Sequence, residues 1–499
     1  MKCKGCHLMA VLLLGMVACE KPPVINIIIP EEKQSSPVSD FNYTIATADS
    51  ILNNTEDLVG NTEFDEHEVV ITFTGSTVSV NNPHNSDGVS VQKNNNMVEC
   101  RSTAEKRIAY RISGSGSGQI KIFSDQKVKL TLDHLNLSNA NGPAISLQGE
   151  KRQFIVLDGD NVLSGCGTNE ETDQEQAKGA FFSEGKIIVS GDGSLTIHTT
   201  GKHGLVSDEY IRIQSGNLRV FANESTKCKD GVHGKKGFAM DGGTLYIESY
   251  DEGIQAGTEN THGFCYIAGG EISISAKTGD GIQSTGDLSI FGGSLSVTSL
   301  KNEGIEGKRD ILIEDGSIEI TANDDGINAG RLITINGGRI YAQAFKNDAI
   351  DSNGDFVING GIIVAIAGPT PETALDADQG TLQINGGTVV GIGDRSFMFV
   401  YPTPESLQLS IWSDVASGTS YNIQNESNED ALNFEIPPTT YYPRILISSP
   451  LFIEGENTLN QGVGFSGGEN WHGLHLGATH SEATTSRTVK AEYGKLKAK

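Results

Sequence analysis

One short motif, an acidic residue followed by Gly and then Ile or Val, returns every 22 to 28 residues between positions 230 and 351. It reads DGVH at 230–233, EGIQ at 252–255, DGIQ at 280–283, EGIE at 303–306, DGIN at 325–328 and, with Ala replacing Gly, DAID at 348–351. A Gly pair followed by alternating apolar residues keeps step with it: GGTLYI at 242–247, GGEISI at 269–274, GGSLSV at 292–297, GGRIY at 337–341 and GGTVV at 386–390. Two punctuation marks per period of about 23 residues describe stacked units, each burying its apolar face against its neighbours. A period has room for three strands of about four to six residues, and no window between 100 and 395 carries a long apolar stripe of helical spacing. The expected fold class is therefore all-β, a parallel β-helix with three strands per coil.

Stacking turns phase into surface. Successive coils lie about 4.8 Å apart, so residues of equal phase form a column. Asp230, Glu252, Asp280, Glu303, Asp325 and Asp348 make one such column. His233, Gln255, Gln283, Glu306, Asn328 and Asp351 make a second, separated from the first by Gly or Ala and an inward Val or Ile. Two unit charges at that spacing repel by about 0.9 kcal/mol in water and roughly 3.5 kcal/mol at an effective dielectric near 20. Protons, neighbouring cations or bound metal must relieve such a ladder.

Hard oxygen ligands without Cys or clustered His favour Ca2+ over zinc or copper. The richest group is Asp324, Asp325, Asn328, Asp348, Asp351, Asp376 and Asp378, drawn from three successive periods. Calcium is expected there first. The competing reading treats Asp-Gly as turn chemistry, with Asn and Gln ladders bonding between coils. Lys301 and Lys346 share one phase, and Lys229, Lys235 and Lys236 crowd the motif at 230, where they are expected to neutralise carboxylates.

A formal charge of -26 argues against nucleic-acid binding, which needs a basic face. It also means that an acidic ligand needs a bridging cation. At the N-terminus two lysines precede an apolar run from Leu8 to Ala18, too short to span a bilayer and suited to a signal peptide. Met16-Val17-Ala18-Cys19 resembles a bacterial lipoprotein processing site. By that resemblance Cys19 becomes the lipidated first residue, anchoring the protein at the outer membrane or cell surface without a spanning helix. Cys100, Cys166, Cys228 and Cys265 form no paired metal motif.

The organisation expected is a signal peptide over 1–18, a polar, proline-containing tether over 19–66, the β-helix over 67–395, and a small C-terminal β domain with its tail over 396–499. The polar run TNEETDQEQ at 168–176 reads as a loop leaving one coil. The tail from about 453 shows no period and is expected to be loosely ordered. GSGSG at 114–118 has no following helix, which makes it a turn and not a dinucleotide loop. His472, His475 and His480 read as unliganded loop histidines. Tyr246, Tyr266, Phe291 and Tyr341 are expected to be exposed on the coils without sharing a column. Tyr246 and Tyr341, with Gln255 and Gln283, are the candidate glycan contacts.

Several segments together carry a family resemblance. They are GVSVQKNNN at 88–96, the long strands around 108–132, NGPAISLQ at 141–148, GAFFSEGKIIVSGDGSLTI at 179–197, the Asp-Gly-Ile series, and RILISSPLF at 444–452. This order resembles the bacterial carbohydrate-binding β-helix family that binds cellulose and pectin-type acidic sugars and is similar to pectate lyases in shape. The resemblance implies a right-handed parallel β-helix with calcium in the Asp-Gly-Ile loops. It transfers most directly to Asp280, Asp325, Asn328, Asp348 and Asp351, while Glu252, Glu303 and His233 depart from the commoner pattern. A lipid-anchored, non-catalytic polysaccharide-binding protein is the function expected. Two alternatives stand beside it: a calcium-dependent polysaccharide lyase with Lys301 or Lys346 as base, and a structural adhesin.

Overall fold

The computed structural model describes residues 47–167, 178–395, 400–439 and 441–495. The signal peptide, Cys19, most of the tether, the acidic run at 168–176 and residues 396–399 lie outside the described residues.

Each regular coil is built the same way, as Ile305–Gly307, Asp310–Ile313 and Ser317–Ala322 illustrate. A three-residue strand is followed by a four-residue strand and, after a glycine turn, by one of six. The three-residue strands stack in parallel from Val232–Gly234 to Leu375–Ala377 within a 13-stranded sheet. The other two rows stack likewise and join in a 26-stranded sheet. The result is a parallel β-solenoid of about 12 turns, as the repeat predicts.

The core explains the sequence pattern. Ile254, Ile282, Ile305, Ile327 and Ile350 are in register and fully buried, forming an aliphatic column inside the short-strand face. The motif glycine is there because the opposite wall is close. A Cβ on Gly281 would lie 2.1 Å from Val297 Cγ1, and one on Gly304 would lie 2.2 Å from Ile320 Cγ2. At Gly326 the residue across the core is Ala342, 3.2 Å away from such a Cβ. Ala349 in turn faces the position of Ala365 at the same spacing of sixteen residues, which is why Ala is tolerated in the last motif. The second glycine of each pair, from Gly243 to Gly387, turns the chain with φ between +81° and +92°, and Gly316, which follows Asp315, does the same at +125°. Beside that turn, Asn385 donates to Asn359 at 2.9 Å and Asn359 to Asn336 at 2.8 Å, an amide ladder between coils.

Both ends of the solenoid depart from the parallel pattern. Val69–Gly75 folds back on Thr77–Asn81 as an antiparallel hairpin before joining the parallel stack through Ala109–Ser117. At the other end Thr388–Asp394 pairs antiparallel with Pro443–Ser448, which also receives Ser410–Asp414. The tail is not loose. Gly455–Gln461 pairs with Thr485–Ala491 over seven residues, in a six-stranded sheet around buried Tyr421, Phe434 and Leu474. Aperiodic antiparallel pairing leaves no repeat to read.

The end of the expected tether is also structured. Ala48–Leu52 is a short helix, followed by turns at Thr55–Asp57 and Val59–Asn61. Ile51, Leu52 and Phe64 pack on Phe154, Ile188, Tyr210, Phe264 and Tyr266 outside the four-residue strands. This cover overturns two expectations: Tyr266 is buried and Phe291 is partly buried. Among the described residues no helix is long and apolar enough to cross a membrane.

Candidate metal and glycan site

The two polar columns lie in register on the short-strand face. Backbone N–H groups of Gly231, Gly253, Gly281, Gly304 and Gly326 donate to the carbonyls of Glu252, Asp280, Glu303, Asp325 and Asp348 at 2.9–3.1 Å, which fixes the first column. Strand pairing aligns His233, Gln255, Gln283, Glu306, Asn328, Asp351 and Asp376 in the second. Asp230, Asp280, Asp325 and Asp348 are buried, whereas Gln283, Asn328, Asp351 and Asp376 are half-buried. The aspartates of the first column are thus the driest groups, while Glu252 and Glu303 are half-buried and, in the second column, Gln255 and Glu306 are buried.

Beyond Asp230, Asp251 and Glu252, whose carboxylates also converge, two further all-oxygen groups result among the described residues. Asp280, Glu303 and Glu306 bring ligand atoms within 4.8 Å of one another, and so do Asp348, Asp351 and Asp376. In the first group Gln283 Nε2 donates to Asp280 Oδ2 at 2.6 Å and to Glu306 Oε2 at 2.9 Å; Asn302 donates to Asp280, and Lys308 pairs with Glu306. Amide relief of this kind is what the competing reading foresees, yet Glu303 Oε2 remains buried without a hydrogen-bond partner. In the second group Asp348 accepts from the Thr373 N–H and Asp376 from the Ala377 N–H, while Asp351 Oδ1 is buried and unpartnered. Asp325 accepts from Asn328 Nδ2 and from the Asp348 N–H, both at 3.0 Å, and Asp324 stands beside it.

The electrostatics follow. Burial, then Glu303 and Glu306, push Asp280 up to about 9. Burial and the Asp351, Asp348 and Asp324 charges push Asp325 up to about 9. Asp348 rises to about 8 and Asp351 to about 7, through burial first and then Asp376. Glu252 rises to about 9 through burial and Asp230. Without a cation, Asp280, Asp325, Asp348 and Glu252 favour their protonated form at neutral pH, and Asp351 lies near its midpoint. Clustered, partly buried oxygens with unpartnered lone pairs fit a hard divalent ion.

The lysines do not supply the relief expected of them. Lys235 and Lys236 pair with Asp208 and Glu209, and Lys301 and Lys346 are exposed and, among the described residues, join no ion pair.

Comparison with known proteins bears on what this surface does. A model of carbohydrate-binding domain-containing proteins matches residues 94–346 and 284–396, more than half of the chain. The chain belongs to this family. Within it, a carbohydrate-binding domain-containing protein of Acetivibrio thermocellus is 30% identical over 217 residues, covering 42% of this chain and 72% of that one. A solved polysaccharide lyase-like protein from C. thermocellum, a gadolinium derivative, is 27% identical with a TM-score of 0.43, covering 50% of this chain and 97% of the other.

The aromatic candidates of this carbohydrate-binding domain protein lie on a different face. Strand register carries Tyr246 through Ser273, Ser296 and Glu319 to Tyr341, so the two tyrosines share a column after all, four rungs apart. Tyr246 is exposed, beside Phe221, whose ring stacks on His198 at 5.0 Å. Tyr341 is covered by His472, stacked at 3.8 Å, which removes it from the free surface. His475 and His480 contact Glu435 and Asp430 instead of converging. Gln255 is buried and donates to the Gly257 carbonyl just past its strand, so of the two glutamines only Gln283 is partly exposed.

Sequence reading missed His203. It opens HGLV at 203–206, 27 residues before DGVH, and Gly204 N–H bonds the Asp230 carbonyl at 3.0 Å in the phase of the motif glycines. With His in place of the acid, the phase alone could have found it. Asp251 and Glu372 also join the acidic surface, from turn positions outside the repeat phase.

Proposed function

We propose that this protein binds acidic polysaccharide without transforming it, through calcium held along the outer face of the ladder. The observation that carries the reading is the group Asp348, Asp351 and Asp376, whose oxygens converge within 4.8 Å at the surface of a carbohydrate-binding fold. With one oxygen from each carboxylate, about three to five of the six to eight oxygen positions of Ca2+ remain open. The positions left on the solvent side suit a uronate carboxylate, which an acidic protein would otherwise repel. The same ions neutralise the column and stiffen the coils. Asp280, Glu303 and Glu306 form the second seat, tempered by Gln283 and Lys308. Lipidation at Cys19 holds the body at the outer membrane or cell surface, where polysaccharide is met.

The test is retention on immobilised pectate, alginate and a neutral glucan, in calcium and in chelator. The expected result is calcium-dependent retention on the uronates, lost in D348N/D351N/D376N. Failure of both uronates to retain the protein in calcium contradicts the proposal. Release of unsaturated uronate product would instead support a lyase, to be followed with Lys301→Ala and Lys346→Ala.

A further inference from the structure

The first rung of the ladder differs chemically from every rung that follows. His203 occupies the first-column phase, Asp230 sits one coil further on, and His233 opens the second column. His203 Nδ1 lies 3.0 Å and His233 Nδ1 2.6 Å from the same oxygen, Asp230 Oδ2. The two rings are 4.6 Å apart and tilted by 55°, so they converge on the carboxylate without stacking face to face. Asp230 is buried and both imidazoles are 15% exposed.

We propose that His203, Asp230 and His233 form a separate site for a divalent transition ion of the zinc type, distinct from the calcium seats of the oxygen-only rungs. Imidazole nitrogen is a preferred ligand of zinc, nickel and copper and a poor one for calcium, which takes oxygen. Hydrogen bonding alone does not account for the cluster. His233 Nδ1 bonds Asp230, but His203 Nδ1 is buried and has no hydrogen-bond partner. An unprotonated nitrogen aimed at a carboxylate is repelled by it, and an ion between the two removes that conflict.

The geometry needs little adjustment. Ligand atoms on tetrahedral zinc, about 2.0–2.1 Å from the metal, are about 3.3 Å apart. The two Nδ1–Oδ2 separations, 3.0 and 2.6 Å, need to open by less than about 1 Å to reach that spacing. A fourth ligand is at hand, because Asp251 and Glu252 bring carboxylate oxygens within 4.8 Å of Asp230. Two neutral imidazoles and one or two carboxylates leave the site near neutrality. The coil-to-coil backbone bonds hold His203 and Asp230 on adjacent rungs, so the site is preorganised.

Zinc titration of the metal-free mature chain in a large excess of calcium tests this directly. The expected result is one tightly bound zinc per chain, and with cobalt a visible absorption band of mixed nitrogen and oxygen ligation. H203N/H233N should weaken zinc at least tenfold, whereas H472N/H475N/H480N and D348N/D351N should leave it unchanged. The last variant separates this site from the calcium proposal, since it removes a calcium seat only. Absence of zinc binding, or binding that survives loss of both His203 and His233, overturns the site. If H203N/H233N fails to fold, wild-type crystals soaked in zinc decide: an anomalous peak between His203 and His233 supports the site, and none there overturns it.

Discussion

Arg212 Nη1 lies 3.1 Å from Asp57 Oδ2, joining the N-terminal cover to the outer wall of the solenoid across 155 residues of chain. The same guanidinium donates to the carbonyls of Ile51 and Leu52, capping the short helix. Asp57 is fully buried and also takes Arg152 Nε at 2.7 Å and the Tyr210 hydroxyl at 2.8 Å. Removing it takes away the buried carboxylate that both guanidiniums and the Tyr210 hydroxyl share. Asp57→Ala should cost about 3–5 kcal/mol, read as a lower melting temperature and early proteolysis near residue 60. An unchanged proteolytic pattern would contradict this locking role.

The motif glycines make a prediction about packing. Gly304→Ala drives a methyl into Ile320 and should cost about 1–3 kcal/mol. Following the natural pairing of small residues at 349 and 365, Ile320→Ala should partly relieve that clash. A double-mutant cycle in denaturant is expected to show a favourable coupling above about 0.5 kcal/mol. Strict additivity would mean that the two side chains do not meet.

The raised carboxylates set a pH dependence. Asp280, Asp325, Asp348 and Asp351 stay protonated in the metal-free fold up to about 9, 9, 8 and 7, whereas the unfolded chain ionises near 4. Their contribution is thus fully present below about pH 4 and is lost as pH rises through 7 to 9. Metal-free protein should melt lower at pH 8.5 than at pH 5.5, and calcium should abolish the difference. Equal melting at both values without metal would refute the protonated ladder.

The repeat was legible because Asp-Gly-Ile combines three constraints: an outward ligand, a glycine forced by the opposite wall and an inward aliphatic residue. Phase therefore placed Asp280, Asp325, Asn328, Asp348 and Asp351 on one surface before any coordinates. His203 escaped because the reading followed residue type where phase was the stronger signal. Tyr266 was misplaced because its cover comes from Ile51, Leu52 and Phe64, isolated apolar residues with no period of their own. The C-terminal sheet pairs segments by antiparallel contact, which leaves no recurring mark in the sequence.

The proposed lipidation at Cys19 has a simple consequence. Exported wild-type protein should partition with membranes, and Cys19→Ser should appear in the soluble fraction with the same fold. Membrane partitioning of Cys19→Ser would contradict a lipid anchor at that residue.

The most direct measurement is calcium content and thermal melting of the soluble body, residues 20–499, before and after chelation, for wild type and D348N/D351N/D376N. The expected result is calcium in fixed ratio to wild-type protein, a marked loss of melting temperature on chelation, and at least one ion fewer in the triple variant. Wild-type protein without calcium, with a melt unchanged by chelator, would reduce the ladder to turn chemistry and contradict the account.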